Sequence, residues 1–448
     1  MTQELETLTQ AMLEAARKAG ADAADAMAVE GTALGIDVRG GALEQAERSE
    51  GVEIGLRVLL GRRQACVSAS DISPETLTVM AERAVAMARE APEDPHAGLA
   101  EPDQLSARRD AAGLDMDDPA PEPDPAMLED DARRAGAAAL ALKGISQVQS
   151  ASAGYGRRQV WISASNGFSG GYRRSSRSIS CVAITGEGTA MERDYFGDSR
   201  VFQADLMAPE EIGRIAAERT LARAGARKPP TGAYPVLFDE RIASSLIGHL
   251  LSAINGAAVA RGASWLRDAL GKPVLPDGMD LVEDPLCPRR SATRPFDAEG
   301  LATRRRAIVD GGVLTGWVLD LATARKLGLQ STANAARGVS SPPSPATANI
   351  ALSMGSDSRE ALLAQMGTGL WVTGLIGASI NATTGDYSRG ASGFWVKNGQ
   401  IVHPVNECTI AGNLRDMLMC MTPANDARPH LSVVVPSLLV EGLTLAGG

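Results

Sequence analysis

The chain has 448 residues, of which 44% are hydrophobic and 22% are charged, as in ordinary globular proteins. This length is too great for a single ordinary core and predicts two or three domains. A formal net charge of −10 argues against a nucleic-acid-binding surface, which needs a basic patch. No apolar run approaches the roughly 20 residues that span a bilayer, and no secretory signal is visible. We therefore expect a cytoplasmic protein that binds neither nucleic acid nor membranes.

The first half of the chain repeats one plan, in which strand patterns lie between two helix-periodic segments. The predicted helices cover residues 4–19, 73–90, 126–142 and 209–224, and the strand patterns cover 25–70 and 145–195. Between the two repeats, residues 91–125 are rich in proline and acidic residues, which predicts an irregular connector. We predict two α–β-meander–α units, at residues 1–105 and 126–226.

Residues 232–448 are predicted to form a third domain that is rich in β-structure. A short apolar strand precedes Asp239, a suitable N-cap for a long helix that is predicted to reach residue 260. Further along, Asn398-Gly399 separates two apolar runs, which is the strongest short-range signal for a β-hairpin. The fold class is therefore α+β, with two α–β-meander–α units followed by a mainly antiparallel β domain that contains one long helix.

The sequence TGDYSRG at residues 384–390 concentrates chemical groups just before this hairpin. Asp386, Tyr387 and Arg389 place a carboxylate, a phenol and a guanidinium in four consecutive positions between glycines. One interpretation is a loop that presents these side chains to a substrate chain or partner, because glycine allows close approach of another backbone. The other is a tight turn in which Asp386 and Arg389 satisfy backbone groups or each other while Tyr387 is packed.

The segment ATTGDYSRGASGFWVKNGQIVHPVNECTIAGNL, residues 382–414, resembles the C-terminal signature of the TldD/PmbA family, in particular its PmbA (TldE) branch. In the TldD branch, the helix equivalent to 239–260 carries a His-Glu-x-x-x-His motif that binds zinc and supplies a general base. Matching that motif here places its positions on Ser244, Ser245 and His249. Only one imidazole remains, so the resemblance implies a degenerate metal motif, with no catalytic residue and no metal in this chain.

The resemblance further implies one subunit of a cytoplasmic heteromeric zinc peptidase that acts on extended peptides. The zinc would lie in a TldD-like partner, and this chain would position the substrate and complete the partner's site. Without its partner, the chain could form a homodimer through the exposed interface. The alternative is a regulatory interaction protein, because the family also carries the description of a modulator of DNA gyrase.

Three other catalytic chemistries are disfavoured by the residue pattern. His249, His403 and Cys408 suit zinc by type, but their spacing does not bring them together. Cys408 and Cys420 lack a placed base, and all five scattered cysteines are expected to be buried free thiols. The Gly-x-Ser-x-Gly pattern around Ser169 is followed by a strand-like segment, whereas a hydrolase nucleophile requires a helix there.

Overall fold

The computed structural model describes residues 2–447, except for the side chains of residues 2, 3 and 378. The N-terminal part contains two units of helices and strands. The first consists of α1 (Thr2–Lys18), β1 (Ala23–Arg39), β2 (Ala42–Leu60), β3 (Arg63–Ala69) and α2 (Pro74–Glu90). The second consists of α3 (Pro125–Leu140), β4 (Ile145–Ala164), β5 (Ser169–Thr185), β6 (Glu192–Arg200) and α4 (Pro209–Ala222). Short 3₁₀ turns occupy Pro102–Gln104, Gly188–Ala190 and Gln203–Asp205.

The C-terminal part contains more strand than helix, as expected. It begins with β7 (Gly232–Phe238), α5 (Glu240–Ala253), α6 (Gly256–Ala260), β8 (Leu281–Glu283), β9 (Arg306–Asp310), β10 (Val313–Leu314) and α7 (Leu321–Leu327). It continues with β11 (Ala335–Ala336), β12 (Ser344–Pro345), β13 (Ile350–Leu352), α8 (Arg359–Met366), β14 (Gly369–Ile380), β15 (Asp386–Lys397) and β16 (Gln400–Asn413). It ends with α9 (Leu414–Met419), β17 (Met421–Pro423), β18 (Val433–Val434) and β19 (Leu438–Ala446). Within residues 2–447, every helix is too short or too polar to cross a lipid bilayer.

The two N-terminal units share one antiparallel sheet of six strands, in the order β3-β2-β1-β4-β5-β6. Strand β1 joins them, because it pairs with β2 of its own unit and with β4 of the next. Even-numbered residues of β1 point to one face of the sheet. On that face, Ala26 and Ala28 belong to the core under α1 and α2. Ile36 belongs to the core under α3 and α4. All four helices therefore cover the same face of the sheet.

The C-terminal domain is built on a closed barrel. Its sheet runs β16-β15-β14-β7-β19-β17, and β16 also pairs with β19, so that five strands form a ring. Val236 and Phe238 of β7 face the large core that includes α5, whereas Leu237 faces a separate core that includes α8. The alternation of a strand thus places the two helices against opposite faces of β7. A smaller sheet of five short strands, β10-β9-β8-β13-β18, adjoins the barrel.

Local signals in the sequence placed several element ends correctly, but not all of them. The turn at Asn398-Gly399 is present, with φ of 52° and 73° at the two residues. The predicted helix over 239–260 is wrong as a single element, because it breaks after Ala253. Asn255 caps the second helix by accepting a hydrogen bond from the Ala257 N–H at 3.0 Å. The N–H of Gly256 donates to the Val318 carbonyl, at 2.8 Å, which fixes the break.

The N-terminal sheet and the C-terminal domain meet through buried charges. Asp25 accepts a hydrogen bond from Arg57 Nε at 2.6 Å and also pairs with Arg337 of the C-terminal domain, and all three side chains are buried. Gly55 lies so close to Val339 that a Cβ atom there would be 2.0 Å from the Val339 carbonyl oxygen. A buried charge is tolerated only when it is paired, so these contacts hold the joint in one arrangement.

A second acid lies at the same joint. Glu299 is half-buried and accepts a hydrogen bond from the Leu321 N–H, at 2.9 Å, at the start of α7. Burial raises the pKa of Glu299 to about 8, and the carboxylates of Asp297 and Asp320 act in the same direction while Arg57 opposes them. The folded protein therefore keeps a proton on Glu299 that the unfolded chain releases near the ordinary carboxyl pKa.

This proton predicts a pH-dependent contribution to stability. The contribution is complete below the unfolded pKa of Glu299 and is lost as the pH rises through about 8. Glu299→Gln fixes the neutral form at every pH. The free energy of unfolding of the variant, relative to that of the parent, should therefore be higher at about pH 8.5 than at about pH 5.5. Urea denaturation at both pH values measures this difference, with Glu53→Gln on the exposed surface as the matched control. A difference that is the same at both pH values would contradict the assignment.

Candidate functional site

Helix α5 is anchored at its first turn by Asp239. The Asp239 carboxylate accepts hydrogen bonds from the Arg241 N–H at 3.3 Å and from Trp371 Nε1 of β14 at 3.1 Å. The carboxylate is buried and also pairs with the Arg241 guanidinium. The predicted N-cap is therefore present, and it ties the start of α5 to the barrel.

The degenerate motif positions lie on α5 where the helix meets the barrel. Leu246 and Leu250 are fully buried in the large core, while Ser244, Ser245 and His249 are half-buried. Ser245 and His249 are four residues apart and therefore share one face of the helix. Ser245 Oγ and His249 Nε2 are shielded from solvent, and neither has a hydrogen-bond partner in the described part of the chain.

The run at residues 385–390 is not the loop or tight turn that the sequence suggested, although Arg389 satisfies a backbone carbonyl and Tyr387 is packed, as the second interpretation expected. It forms the start of β15, where Tyr387 pairs with Ile380 on one side and Gly412 on the other. The turn lies before it, where the Gly385 N–H donates to the Asn381 carbonyl at 2.8 Å and Gly385 adopts a φ of 84°. Strand pairing on both sides overrides the local glycine signal, because each backbone group gains a partner.

Strand alternation separates Asp386 from the other two candidate residues. Asp386 is exposed and accepts hydrogen bonds from Thr384 Oγ1 at 2.6 Å and from Asn413 Nδ2 at 3.1 Å. These two donors lower the pKa of Asp386. Its carboxylate therefore stabilises the turn before β15 through side-chain donors, and not through the backbone groups or Arg389 that the tight-turn interpretation named.

Tyr387 brings the strand and the helix motif together. Its side chain is only 2% exposed, and its ring lies edge-to-face with His249, with 5.9 Å between the ring centroids. The hydroxyl is buried and, within residues 2–447, forms no hydrogen bond of ordinary geometry, although the Arg389 guanidinium lies beside it. The two groups of candidate residues, found in separate segments of the sequence, thus meet at one site.

Arg389 supplies the positive charge of this site. Its Nε donates to the Gly377 carbonyl at 2.7 Å, and in the described part of the chain no carboxylate pairs with its guanidinium. Burial lowers the pKa of His249, and the Arg389 charge lowers it further. Burial raises the pKa of Tyr387 to about 12, with Arg389 acting in the opposite direction. Near neutral pH the site therefore contains a neutral imidazole, a protonated phenol and a guanidinium.

A metal-binding cluster is not formed from these residues. Among residues 2–447, no three histidine, cysteine or acidic side chains are grouped so that they could hold a metal ion. His403 Nδ1 lies 3.0 Å from the Pro404 carbonyl oxygen, and Cys408 Sγ donates to the Ala391 carbonyl at 3.2 Å. Burial raises the pKa of the Cys408 thiol to about 11, which makes it a poor nucleophile.

The expectation that all cysteines are buried is wrong for three of the five. Cys181 and Cys408 are buried, Cys66 and Cys287 are half-buried, and Cys420 is exposed. Cys420 follows the short helix α9 at the start of β17, and that position leaves its side chain at the surface. Burial was inferred from residue type alone, which does not determine the position of a residue at the end of an element.

The strand-like interpretation of the segment after Ser169 is confirmed. Ser169 is the first residue of β5, and its hydroxyl accepts a hydrogen bond from Trp161 Nε1 at 3.0 Å and contacts Ser163 Oγ at 3.2 Å. The strand–turn–helix geometry that exposes a hydrolase nucleophile is therefore not built here.

Trp265 and Arg415 hold the turn before β15 in place, and no sequence motif predicted this role. The Trp265 N–H donates to the Ala382 carbonyl at 2.9 Å, and a Cβ atom on Gly385 would lie 3.4 Å from the Trp265 ring. Arg415 donates to the Trp265 carbonyl oxygen. These contacts hold the turn that leads into β15, but no local motif marks them.

Three domain models match almost the whole chain in succession. They describe domain 1, the central domain and the C-terminal domain of PmbA/TldA metallopeptidases, and they match residues 24–88, 118–224 and 231–447. The chain belongs to the PmbA/TldD family. The fold and the resemblance of residues 382–414 agree with this assignment.

Curated relatives and solved structures extend over nearly the full length. Metalloprotease PmbA of Escherichia coli O157:H7 is 37% identical, and the match covers 95% of this chain and 92% of the relative. The Metalloprotease PmbA homolog of Haemophilus influenzae is 34% identical, over 99% and 96% of the two chains.

A Bacteroides thetaiotaomicron crystal structure, described as a proposed modulator of DNA gyrase, superposes with a TM-score of 0.92 at 27% identity over 99% of both chains. TldE from Thermococcus kodakarensis has the same fold, with a TM-score of 0.85 at 19% identity over 98% of this chain and 100% of that one.

The unpartnered hydroxyl of Tyr387 leads to a stability prediction. Removing a buried hydroxyl that makes no hydrogen bond should not destabilise the fold, because its desolvation is already uncompensated. We expect Tyr387→Phe to leave the free energy of unfolding unchanged or to raise it by up to about 1 kcal/mol. Urea denaturation of the isolated chain at neutral pH measures this change.

Ser437→Ala is the matched comparison for a buried hydroxyl that is fully hydrogen-bonded. Ser437 donates to Asp426 Oδ2 at 2.7 Å and accepts from the Glu240 N–H at 3.0 Å. Its removal should cost about 1–3 kcal/mol, because Asp426 and Glu240 each lose a buried partner. A comparable loss in Tyr387→Phe would mean that the phenol has a structural partner after all.

Proposed function

We propose that this chain is the metal-free subunit of a cytoplasmic heteromeric zinc peptidase whose metal lies in a TldD-like partner. The observation that carries the proposal is the composition of the α5 site. Ser244 and Ser245 occupy positions that hold a zinc ligand and a general base in the metal-binding branch of the family, and His249 is the one imidazole left.

This site lacks what hydrolysis by zinc requires. A catalytic zinc needs three protein ligands and an open position for water, together with a base that accepts a proton from that water. Serine hydroxyls are poor zinc ligands and poor bases at neutral pH. His249 alone cannot hold the metal, and burial together with the Arg389 charge lowers its pKa.

The proposed contribution of the chain is to hold an extended peptide in place for the partner. Positioning a substrate accelerates a reaction without chemistry from the positioning group, because it removes the entropic cost of alignment. Helix α5 and strand β15 provide hydrogen-bond donors at a site held by the closed barrel. Donors fixed on rigid elements suit orientation better than donors on a loop.

Self-association in the absence of the partner is part of the proposal. Ile376 of β14 is 76% exposed, and Ile401 and Val402 of β16 are 51% and 54% exposed. Exposed β-branched side chains on barrel strands offer apolar area to a second protein surface. We therefore propose that the isolated chain can form a homodimer.

A regulatory interaction protein without a peptidase role is the second candidate function. It rests on the description of the structurally similar Bacteroides thetaiotaomicron protein as a proposed modulator of DNA gyrase. The net charge of −10 suits a protein partner better than DNA.

The test combines peptidase assays with zinc quantification. The isolated chain, the TldD-like protein from the same source and their mixture are each assayed on an unstructured peptide, and bound zinc is measured by elemental analysis. We expect zinc and strong activity in the mixture, weaker activity from the partner alone, and neither from this chain alone.

Two other results would exclude the proposal. Stoichiometric zinc or peptidase activity in the isolated chain would mean that a metal or catalytic centre exists that the α5 residues do not explain. A complex that forms without any gain in peptidase activity over the partner alone would favour the regulatory function. Sedimentation of each sample shows whether the complex has formed.

A further inference from the structure

The α5–β15 site contains an unusual set of unsatisfied donors. Ser245 Oγ, His249 Nε2 and Tyr387 Oη are each shielded from solvent and form no hydrogen bond of ordinary geometry within residues 2–447, although the Arg389 guanidinium lies beside the Tyr387 hydroxyl. Buried polar groups are almost always hydrogen-bonded, and each exception calls for a specific reason. Two of these atoms lie one helical turn apart, and the third belongs to a ring that contacts His249. Because these atoms are closed off from solvent, a ligand reaches them only when α5 and β15 move apart. Their grouping beside Arg389 points to a candidate ligand site.

The charge at this site indicates the type of ligand. Arg389, on the same face of β15 as Tyr387, is half-buried, donates to the Gly377 carbonyl and has no carboxylate partner among the described side chains. A metal cation would be repelled by this guanidinium and would find no anionic ligand. A hydrogen-bond acceptor with negative charge would instead satisfy Arg389 and the three buried polar groups together.

A carboxylate fits this set better than a phosphate group does. A carboxylate carries one negative charge, which matches the single guanidinium, and its two oxygens accept about four hydrogen bonds. Arginine binds a carboxylate in a planar, bidentate arrangement, and a phenol hydroxyl can donate to the same oxygens. A phosphate group carries nearly two charges at neutral pH and would leave one of them uncompensated in a half-buried site.

We propose that Ser245, His249, Tyr387 and Arg389 form a subsite that binds a carboxylate of an extended peptide. The carboxylate comes from the peptide C-terminus or from an aspartate or glutamate side chain. The inference rests on the proposed function, in which this chain receives extended peptides. It assigns a role to the degenerate motif: with two serines in place of the metal-binding residues, the helix contributes donors to an anion site.

Binding of matched peptides tests the subsite. Three unstructured peptides of one sequence, each labelled at the N-terminus, are titrated with the full chain and followed by fluorescence anisotropy. One has a free C-terminal carboxylate and no acidic side chain, the second is its C-terminal amide, and the third is the amide with one internal glutamate. We expect one of the two carboxylate-containing peptides to bind about tenfold or more tightly than the plain amide. Which of them does so identifies the source of the carboxylate.

Variants assign the preference to this site. Arg389→Gln should abolish the preference, and Arg389→Lys should retain part of it because the charge remains while the bidentate geometry is lost. Tyr387→Phe should reduce it several-fold without lowering the stability of the free chain. Arg133→Gln, an exposed arginine on α3 that pairs with Glu129, is the control and should bind like the parent.

Equal binding of the three peptides, or a preference that survives Arg389→Gln, would overturn the inference. The inference would also be overturned if the parent showed no peptide preference and Arg389→Gln associated more weakly with the TldD-like partner. That result would assign Arg389 to the subunit interface. These failures are separable from failure of the proposed function, since zinc content and activity of the mixture are measured without reference to the peptide terminus.

Discussion

Closure of the barrel is the constraint on which the candidate site depends. Strand β15 is held between two neighbours, β14 on one side and β16 on the other, and the pairing of β16 with β19 closes the ring. This double pairing converts a glycine-rich polar run into rigid strand and places Tyr387 against His249. The N-cap at Asp239 fixes α5 from the other side through its hydrogen bond to Trp371. Side chains from two distant segments meet because both supports belong to one closed sheet.

The site that results is costly for the fold alone. Its donors are removed from water without receiving partners, which is unfavourable by about 1–3 kcal/mol for each group. A large core around α5 and the barrel can sustain such a cost. The interdomain joint is different, because Asp25 has partners on both sides in Arg57 and Arg337. Unpartnered buried polar atoms also occur elsewhere in the described residues, including Arg337 Nη2 at the joint, but three of them lie together where a ligand is proposed to bind.

Much of the fold could be predicted from local patterns. Helix α7 ends at Gly328 with a φ of 66°, and the Asn398-Gly399 turn forms because each signal involves only neighbouring residues. The fusion of two units into one sheet through β1 and β4 could not be predicted, since their pairing joins residues far apart in the sequence. For the same reason, the motif on α5 and Tyr387 of β15 were recognised separately, and their contact was not. The interpretation of residues 385–390 as a loop failed because glycine content describes backbone freedom and not strand pairing.

The central claim is that α5 and β15 form a donor site for a carboxylate at the positions that the family resemblance matches to a zinc motif. It is tested most directly by a crystal structure of this chain grown with both zinc and a peptide that carries a free carboxylate, using anomalous scattering at the zinc edge. The account predicts carboxylate oxygens within about 3 Å of the Arg389 and Tyr387 donor atoms and no zinc at His249. A zinc ion bound to His249 would contradict it.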